Sequence, residues 1–220
     1  MESLESELEK AKALDASDLA DAIETIGFEC TRCGACCTAE ADDPHTATVF
    51  PDEVSTLQEA GEQEYDFRDV ARPMPYGLSE DEDGELTGET FEWALQTNSC
   101  GDCRFYAEDD EGMGSCTVHD SRPLVCQTYP FSVALGGTSQ PMGEAVDESG
   151  MVRAHECEGL GRDISREDAE ELAAALKERA VRELEEAIGV RDNYRRVESE
   201  EKVVVYDSDG PKRVDGSEIE

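Results

Sequence analysis

Apolar residues return every third or fourth position near the start of the chain. Leu4, Leu8 and Ala11 make one stripe, and Leu19, Ile23 and Ile26 another, a spacing that predicts one or two amphipathic helices over residues 1–26. Asp15 or Ser17 is placed to cap the second, and Gly27 is a natural stop. A longer repeat of Leu172, Leu176, Ala180, Leu184 and Ile188 predicts a helix over 166–188, opened by Ser165-x-x-Asp168 and closed by Gly189.

Between these helices the pattern shortens. Thr46–Phe50, Phe91–Gln96, Cys103–Tyr106 and Ser115–Val118 are strand-like runs. Pro51 starts a short helix carrying Val54 and Leu57, closed by Gly61, and Pro123 starts another that carries Cys126. Residues 62–90 read as an irregular loop or an insertion, 132–152 is loop-like, and Val203–Tyr206 is a strand ahead of a Ser-Asp-Gly-Pro turn. Phe91 and Trp93 are expected in the core. The class predicted is α+β: a small, loop-rich domain with flanking amphipathic helices.

The chain has 220 residues, enough for one domain with extensions or two small ones. Its 55 acidic residues face 19 basic ones, for a net charge of −36. Such a surface repels phosphate backbones and anionic lipid, so no nucleic acid and no membrane is expected among the partners. Five of the basic residues are lysines (Lys10, Lys12, Lys177, Lys202 and Lys212). An acid-rich, lysine-poor surface stays hydrated in concentrated salt, where screening lengths of about 3 Å mute self-repulsion, and it points to a halophilic source. The acid run Glu80–Asp83 is most simply a solvated loop. The N-terminus, MESLESELEK, lacks the basic and apolar regions of a signal peptide, and no apolar run approaches a membrane span. A cytoplasmic location is therefore expected.

The nine cysteines change this plain picture. They cluster as Cys30-x-x-Cys33-x-x-Cys36-Cys37, then Cys100, Cys103, Cys116 and Cys126, then Cys157. In a reducing compartment, clustered cysteines favour metal binding over disulfides or inert core thiols. The C-x2-C-x2-C run matches the three-ligand part of ferredoxin-type sites, whose fourth thiolate comes from elsewhere. Gly34 relieves crowding where the chain must curl around an ion or cluster. Adjacent Cys36 and Cys37 cannot easily point the same way, so either the chain bends there or the two sulfurs serve different centres. Tetrathiolate donors suit Zn2+ or an iron–sulfur cluster such as 4Fe-4S, and disfavour hard-oxygen ions. His119 and His155, near Cys116 and Cys157, are alternative ligands for a Cys3His zinc site. Between residues 13 and 152 the basic residues are Arg32, Arg68, Arg72, Arg104 and Arg122, three of them in or beside cysteine motifs. Guanidinium groups there would offset thiolate charge, or simply pair with acids. There is no phosphate-cradling glycine loop, H-E-x-x-H or G-x-S-x-G motif. A catalytic Cys116 with His119 as base stays an alternative, outside any recognisable nucleophile motif.

Cys30-x-x-Cys33-Gly-x-Cys36-Cys37 resembles the opening motif of the YkgJ-type cysteine cluster family, described as a zinc- or iron-chelating domain. Trp93-Ala-Leu, Cys103-Arg-Phe-Tyr106 and Gly114-Ser-Cys116-Thr-Val resemble its central segment. Arg122-Pro-Leu-Val-Cys126-Gln-Thr-Tyr-Pro130-Phe131 resembles its R-P-x-x-C-x-x-x-P-F signature, and Cys157-Glu-Gly159-Leu-Gly161 its closing element. The resemblance implies metal ligation by Cys30, Cys33, Cys36, Cys37, Cys103, Cys116, Cys126 and Cys157, and leaves Cys100 outside the pattern, as a spare thiol or an alternative ligand. It implies a cysteine-cluster domain over 28–161. A helical extension over 1–27, a packed helix over 162–189 and an acidic tail over 190–220 would flank it. Pro123 and Pro130 would fix the approach of Cys126, with Arg104 and Arg122 as outer-shell donors. The function expected is binding of an iron–sulfur cluster or zinc, with a redox or electron-transfer role. A structural zinc or metal-chelating module is the first alternative, and a modifying enzyme related to flagellin lysine methylases the second.

Overall fold

The computed structural model describes residues 2–40, 44–60, 65–135, 145–147, 150–198 and 201–219. In chain order the elements open with α1 (Leu4–Ala13), α2 (Ala16–Ile26), β1 (Thr48–Val49), α3 (Pro51–Ala60) and α4 (Phe67–Val70). Strands β2 (Ala71–Pro73), β3 (Leu78–Glu80), β4 (Leu86–Thr90), β5 (Trp93–Leu95), β6 (Tyr106–Glu108) and β7 (Gly114–Cys116) follow. The remainder is α5 (Leu124–Thr128), β8 (Phe131–Val133), β9 (Ala145–Asp147), β10 (Val152–His155), α6 (Arg166–Asn193), β11 (Val203–Asp207) and β12 (Gly210–Lys212). Helices and small sheets alternate through the chain, so the class is α+β, in agreement with the hydrophobic pattern. No helix among the described residues is long and apolar enough to cross a membrane.

The chain divides into two compact units: 1–36 with 124–185, and 37–123 with 186–220. In the first, α1 is capped by Ser3, whose side chain accepts from the Ser6 amide at 3.2 Å. Asp15 caps α2 through the Ser17 amide at 2.8 Å. At Gly27 the chain takes φ +77°, and an added Cβ would stand 2.5 Å from the Arg162 carbonyl oxygen. The buried faces of α1, α2 and α6 meet the sheet β8-β10-β9. Leu19, Ile23, Phe131, Val152, Leu176 and Leu184 are among the side chains in that core. Ser165 opens α6 as expected, accepting from the Asp168 amide at 3.1 Å and donating to its carboxylate at 2.6 Å.

In the second unit β11 lies parallel to β4 and antiparallel to β12, giving the order β12-β11-β4-β3. A second sheet, β1-β5-β2, and the hairpin β6-β7 complete it. Trp93 is buried, with its ring edge-on to Phe67 at 4.7 Å and its indole N–H donating to Asp207 at 3.1 Å.

Several expectations are corrected here. The described part of 62–90, residues 65–90, is not an irregular loop, because it carries α4 and three strands. Of the loop expected over 132–152, residues 136–144 and 148–149 lie outside the described residues, and β8, β9 and the start of β10 occupy much of the rest. Gly189 does not end α6: the helix runs on to Asn193, and a Cβ at Gly189 would stand 2.6 Å from the Ser208 Cβ, so the glycine marks a close approach. Phe91 is 47% exposed, stacked on buried Tyr206 with centroids 5.5 Å apart, and is not a core residue. The strand expected over Cys103–Tyr106 starts only at Tyr106, Cys103 making an isolated bridge with Thr97. The Gly61 stop expected for α3 lies outside the described residues.

Buried Asp207 and half-buried Glu186 in the second unit give it a pH dependence. Burial pushes the Asp207 carboxyl up, against the lowering effect of the Trp93 hydrogen bond, and burial likewise raises Glu186 against its bonds from Ser208. An acid whose folded value is raised binds more protons folded than unfolded, so stability falls as pH rises through the folded value and is regained on acidification toward about 4. In metal-free protein in molar salt, the melting temperature of this unit is expected to be higher at pH 5 than at pH 7. The difference should vanish in an Asp207→Asn, Glu186→Gln double variant, and its persistence there would assign it to other groups.

Candidate metal centre

The cysteine motif begins directly after α2. Past Gly27 the chain runs antiparallel to the segment that follows Cys157. Phe28 bridges Leu160, the Glu29 amide donates to the Gly159 carbonyl at 3.1 Å, and the Gly161 amide donates to the Gly27 carbonyl at 3.0 Å. A Cβ on Gly159 would stand 2.4 Å from the Glu29 carbonyl oxygen, so only glycine permits this approach. Two remote stretches are thereby zipped together, with Cys30 at one side and Cys157 at the other.

The Cys30–Cys36 segment curls through two left-handed residues, Arg32 at φ +59° and Gly34 at φ +80°. For Gly34 this conformation is free, whereas for Arg32 it is uncommon and marks a segment held by its surroundings. The residues 35–37 form a turn, and Gly34 is buried.

The Cys157 thiol is raised by burial first, with Cys36, Cys33 and Cys30 adding to the rise and the Gly159 amide, 3.4 Å from its Sγ, opposing it. Tyr129 is pushed up to about 12, by burial and then by Cys157, Cys36, Glu156 and Cys33. Its hydroxyl donates to the Glu156 carbonyl, next to Cys157 in the chain. Negative charge is thus disfavoured at Cys157 and Tyr129, by burial first and by the motif's thiols after it. A soft cation is what such a set accommodates, because metal binding removes the thiol protons and neutralises the charge they leave.

Cys126 lies in the same unit, on α5, half-buried. Its helix follows buried Pro123 and is followed by buried Pro130. In the second unit are Cys37, half-buried; Cys100, exposed on a turn; Cys103, buried; and Cys116, half-buried on β7 opposite Tyr106. Adjacent Cys36 and Cys37 therefore fall in different units. All nine cysteines are described, and none is in a disulfide. Among the described residues no group of three or more His, Cys, Asp or Glu side chains stands close enough to hold an ion as it is.

The other candidates have visible roles. His155 is buried, with Nε2 2.8 Å from the Ser132 hydroxyl. His119 is exposed, its ring 3.4 Å from the Asp120 carboxylate. Arg104 pairs with Asp69 at 3.1 Å and lies over the Tyr65 ring, and the Arg122 side chain donates to the His119 carbonyl at 3.0 Å. Sequence reasoning missed Tyr129, which sits inside the R-P-x-x-C-x-x-x-P-F segment between Cys126 and Pro130.

Residues 29–158 match the family model described as "CxxCxxCC: putative zinc- or iron-chelating domain". The chain belongs to this family. Neither a curated protein nor a solved structure matches it. The matched span in the CxxCxxCC protein opens at Glu29, whose amide meets the Gly159 carbonyl, and closes just beyond Cys157. Family membership makes the domain a zinc- or iron-chelating one by description, and metal ions its partners.

The zipper makes a testable demand. Gly159→Ala is expected to force the two strands apart and destabilise the first unit by about 1–3 kcal/mol, the range for overpacking a close contact. Chemical denaturation checks this, and a variant as stable as the parent would show that the Glu29 carbonyl yields at little cost.

Proposed function

We infer that the chain is an iron–sulfur protein whose cluster is held by Cys30, Cys33, Cys36 and Cys157, with an electron-transfer role. The observation that carries this reading is the Phe28–Leu160 zipper, which sets a distal cysteine beside a C-x2-C-x2-C run. Three closely spaced thiolates and one remote one are the ligand set of ferredoxin-type clusters. When bound, such a cluster supplies one-electron chemistry, at a potential tuned by hydrogen bonds to its sulfurs and by solvent exposure. The chain's own part is positional. The Gly159 amide donates toward Cys157, the Tyr129 hydroxyl ties α5 to the strand before Cys157, and Gly34 lets the loop close. Of the remaining family cysteines, Cys126 stands in the same unit, and Cys37, Cys103 and Cys116 serve as further metal ligands. A reducing cytoplasm rich in salt suits both these thiols and the acidic surface.

Anaerobic purification followed by analysis for iron, zinc and acid-labile sulfide tests the reading. Iron with matching sulfide and a brown colour lost on reduction is the expected result. Stoichiometric zinc without sulfide would overturn the cluster and leave a structural zinc module.

A further inference from the structure

Strands β4 and β11 run parallel, with Val204 opposite Glu89 and Val205 opposite Thr90. Side chains alternate along a strand, so Phe91 and Tyr206, two positions on from the first pair, come up side by side on the face of Glu89 and Val204. Their rings stack, with centroids 5.5 Å apart and planes 21° from parallel. On the β11 side this face is covered. Val190 and Val197 pack against Val204, Tyr206 and Ile219, and the Tyr194 ring closes on Tyr206 at 4.7 Å. The cover stops at β4. Tyr206 is fully buried, whereas Phe91 is 47% exposed and Tyr194 is 45% exposed, their rings 6.0 Å apart.

The charge around these open rings is negative. Glu89 is exposed, its carboxylate accepts from the Tyr206 hydroxyl at 3.3 Å, and it makes no ion pair among the described residues. Exposed Glu92 follows Phe91 in the chain. The arginines beside Tyr194 are engaged elsewhere, Arg191 with Asp192 at 2.8 Å and Arg195 with the Ile219 carbonyl, which leaves Arg196 as an exposed cation in that stretch. The face of an aromatic ring attracts a cation, and a neighbouring carboxylate adds to that attraction.

We propose that Phe91 and Tyr194 form a docking shelf for an arginine side chain of a partner protein, its guanidinium lying on the open rings and its charge met by Glu89. Arginine suits the shelf better than lysine, because the guanidinium is planar, stacks on rings and is more weakly hydrated than an ammonium. A net charge of −36 draws basic segments toward the chain, and ring contact holds at salt concentrations that screen the longer-range attraction. The shelf needs no metal and stands apart from the cysteine reading.

The test titrates the full chain with a blocked Gly-Gly-Arg-Gly-Gly peptide, and with the same peptide carrying lysine or citrulline in place of arginine. The Phe91 and Tyr194 ring protons report binding by NMR, in salt of about 1 M, where the screening length is about 3 Å. The arginine peptide is expected to bind several-fold more tightly than either analogue. Joint replacement Phe91→Leu, Tyr194→Leu keeps apolar bulk and removes both rings, and should weaken binding about tenfold. Glu89→Gln leaves every ring in place and gives a second readout: it should weaken the arginine peptide and leave the uncharged citrulline peptide unchanged. Arg196→Glu should tighten the arginine peptide. Equal binding of the arginine and citrulline peptides overturns the proposal, as does binding by the double leucine variant that matches the parent. Tighter binding of lysine overturns the choice of arginine. Self-association of the parent that the double leucine variant loses and the arginine peptide does not compete for would assign the shelf to a second copy of the chain, and overturn the proposal.

Discussion

Replacing Cys33 and Cys36 together by serine is expected to abolish metal retention in the first unit and to lower its melting temperature by roughly 10 °C. Both side chains are exposed, so the substitution itself costs little packing. The loss comes through linkage. A ligand bound only by the folded state stabilises it by about 4 kcal/mol when its free concentration is a thousand times its dissociation constant. For a chain of this size, each kcal/mol is worth about 2–4 °C. Hydroxyls are hard, weak donors beside thiolates, and removing two of the four soft ligands proposed goes well beyond the roughly 10–100-fold cost of losing an outer partner. The discriminating control is the metal-free pair: parent and variant should then melt together. A variant that melts lower than the parent even in chelator would show that these cysteines stabilise the fold by another route, and the centre would lose its main support.

Features written in neighbouring residues are legible in the sequence alone. Asp15, Gly27 and the Ser165–Asp168 box act within a turn or two of where they stand, and the fold places them as the pattern predicts. Features set by remote partners are not legible in that way. Gly189 reads as a helix stop, but it answers to Ser208, brought alongside by the return of β11 and β12. Strand β4 alternates little and is mostly exposed; it becomes a strand because Val203–Val205 pair with it in parallel, and nothing local announces that. The candidate site shows the same division. The cysteine spacing is local and can be read directly. The zipper that carries Cys157 to the motif depends on Gly159 meeting the Glu29 backbone, a contact between stretches with no shared signal in the chain. For Cys36 and Cys37 the sequence leaves open a bent chain or two centres; the chain does turn at 35–37, and the two residues fall in different units.

Arg179 carries the second large effect, and it too is invisible in the helical repeat, where an arginine reads as solvent-facing. Its side chain is 1% exposed. From α6 its Nε donates to Glu183 at 2.7 Å, while one terminal nitrogen donates to the Thr128 hydroxyl at 3.0 Å and reaches the Phe131 carbonyl at 3.4 Å. Thr128 in turn donates to the Leu124 carbonyl at 2.7 Å, so the guanidinium holds the end of α5, the helix that bears Cys126. Arg179→Met would keep the volume and delete the charge. Breaking a buried pair by removing one partner typically costs about 3–5 kcal/mol, because the other partner stays behind. Glu183 is 26% exposed and can draw on water, which places the expected loss near the lower end of that range. Equilibrium denaturation of the metal-free chain measures it. Adding Glu183→Gln to Arg179→Met should then recover part of the loss, since the stranded carboxylate is gone. If the double variant is as unstable as the sum of the two singles, the ion pair is not the source of the effect. The contacts to Thr128 and Phe131 would then carry it.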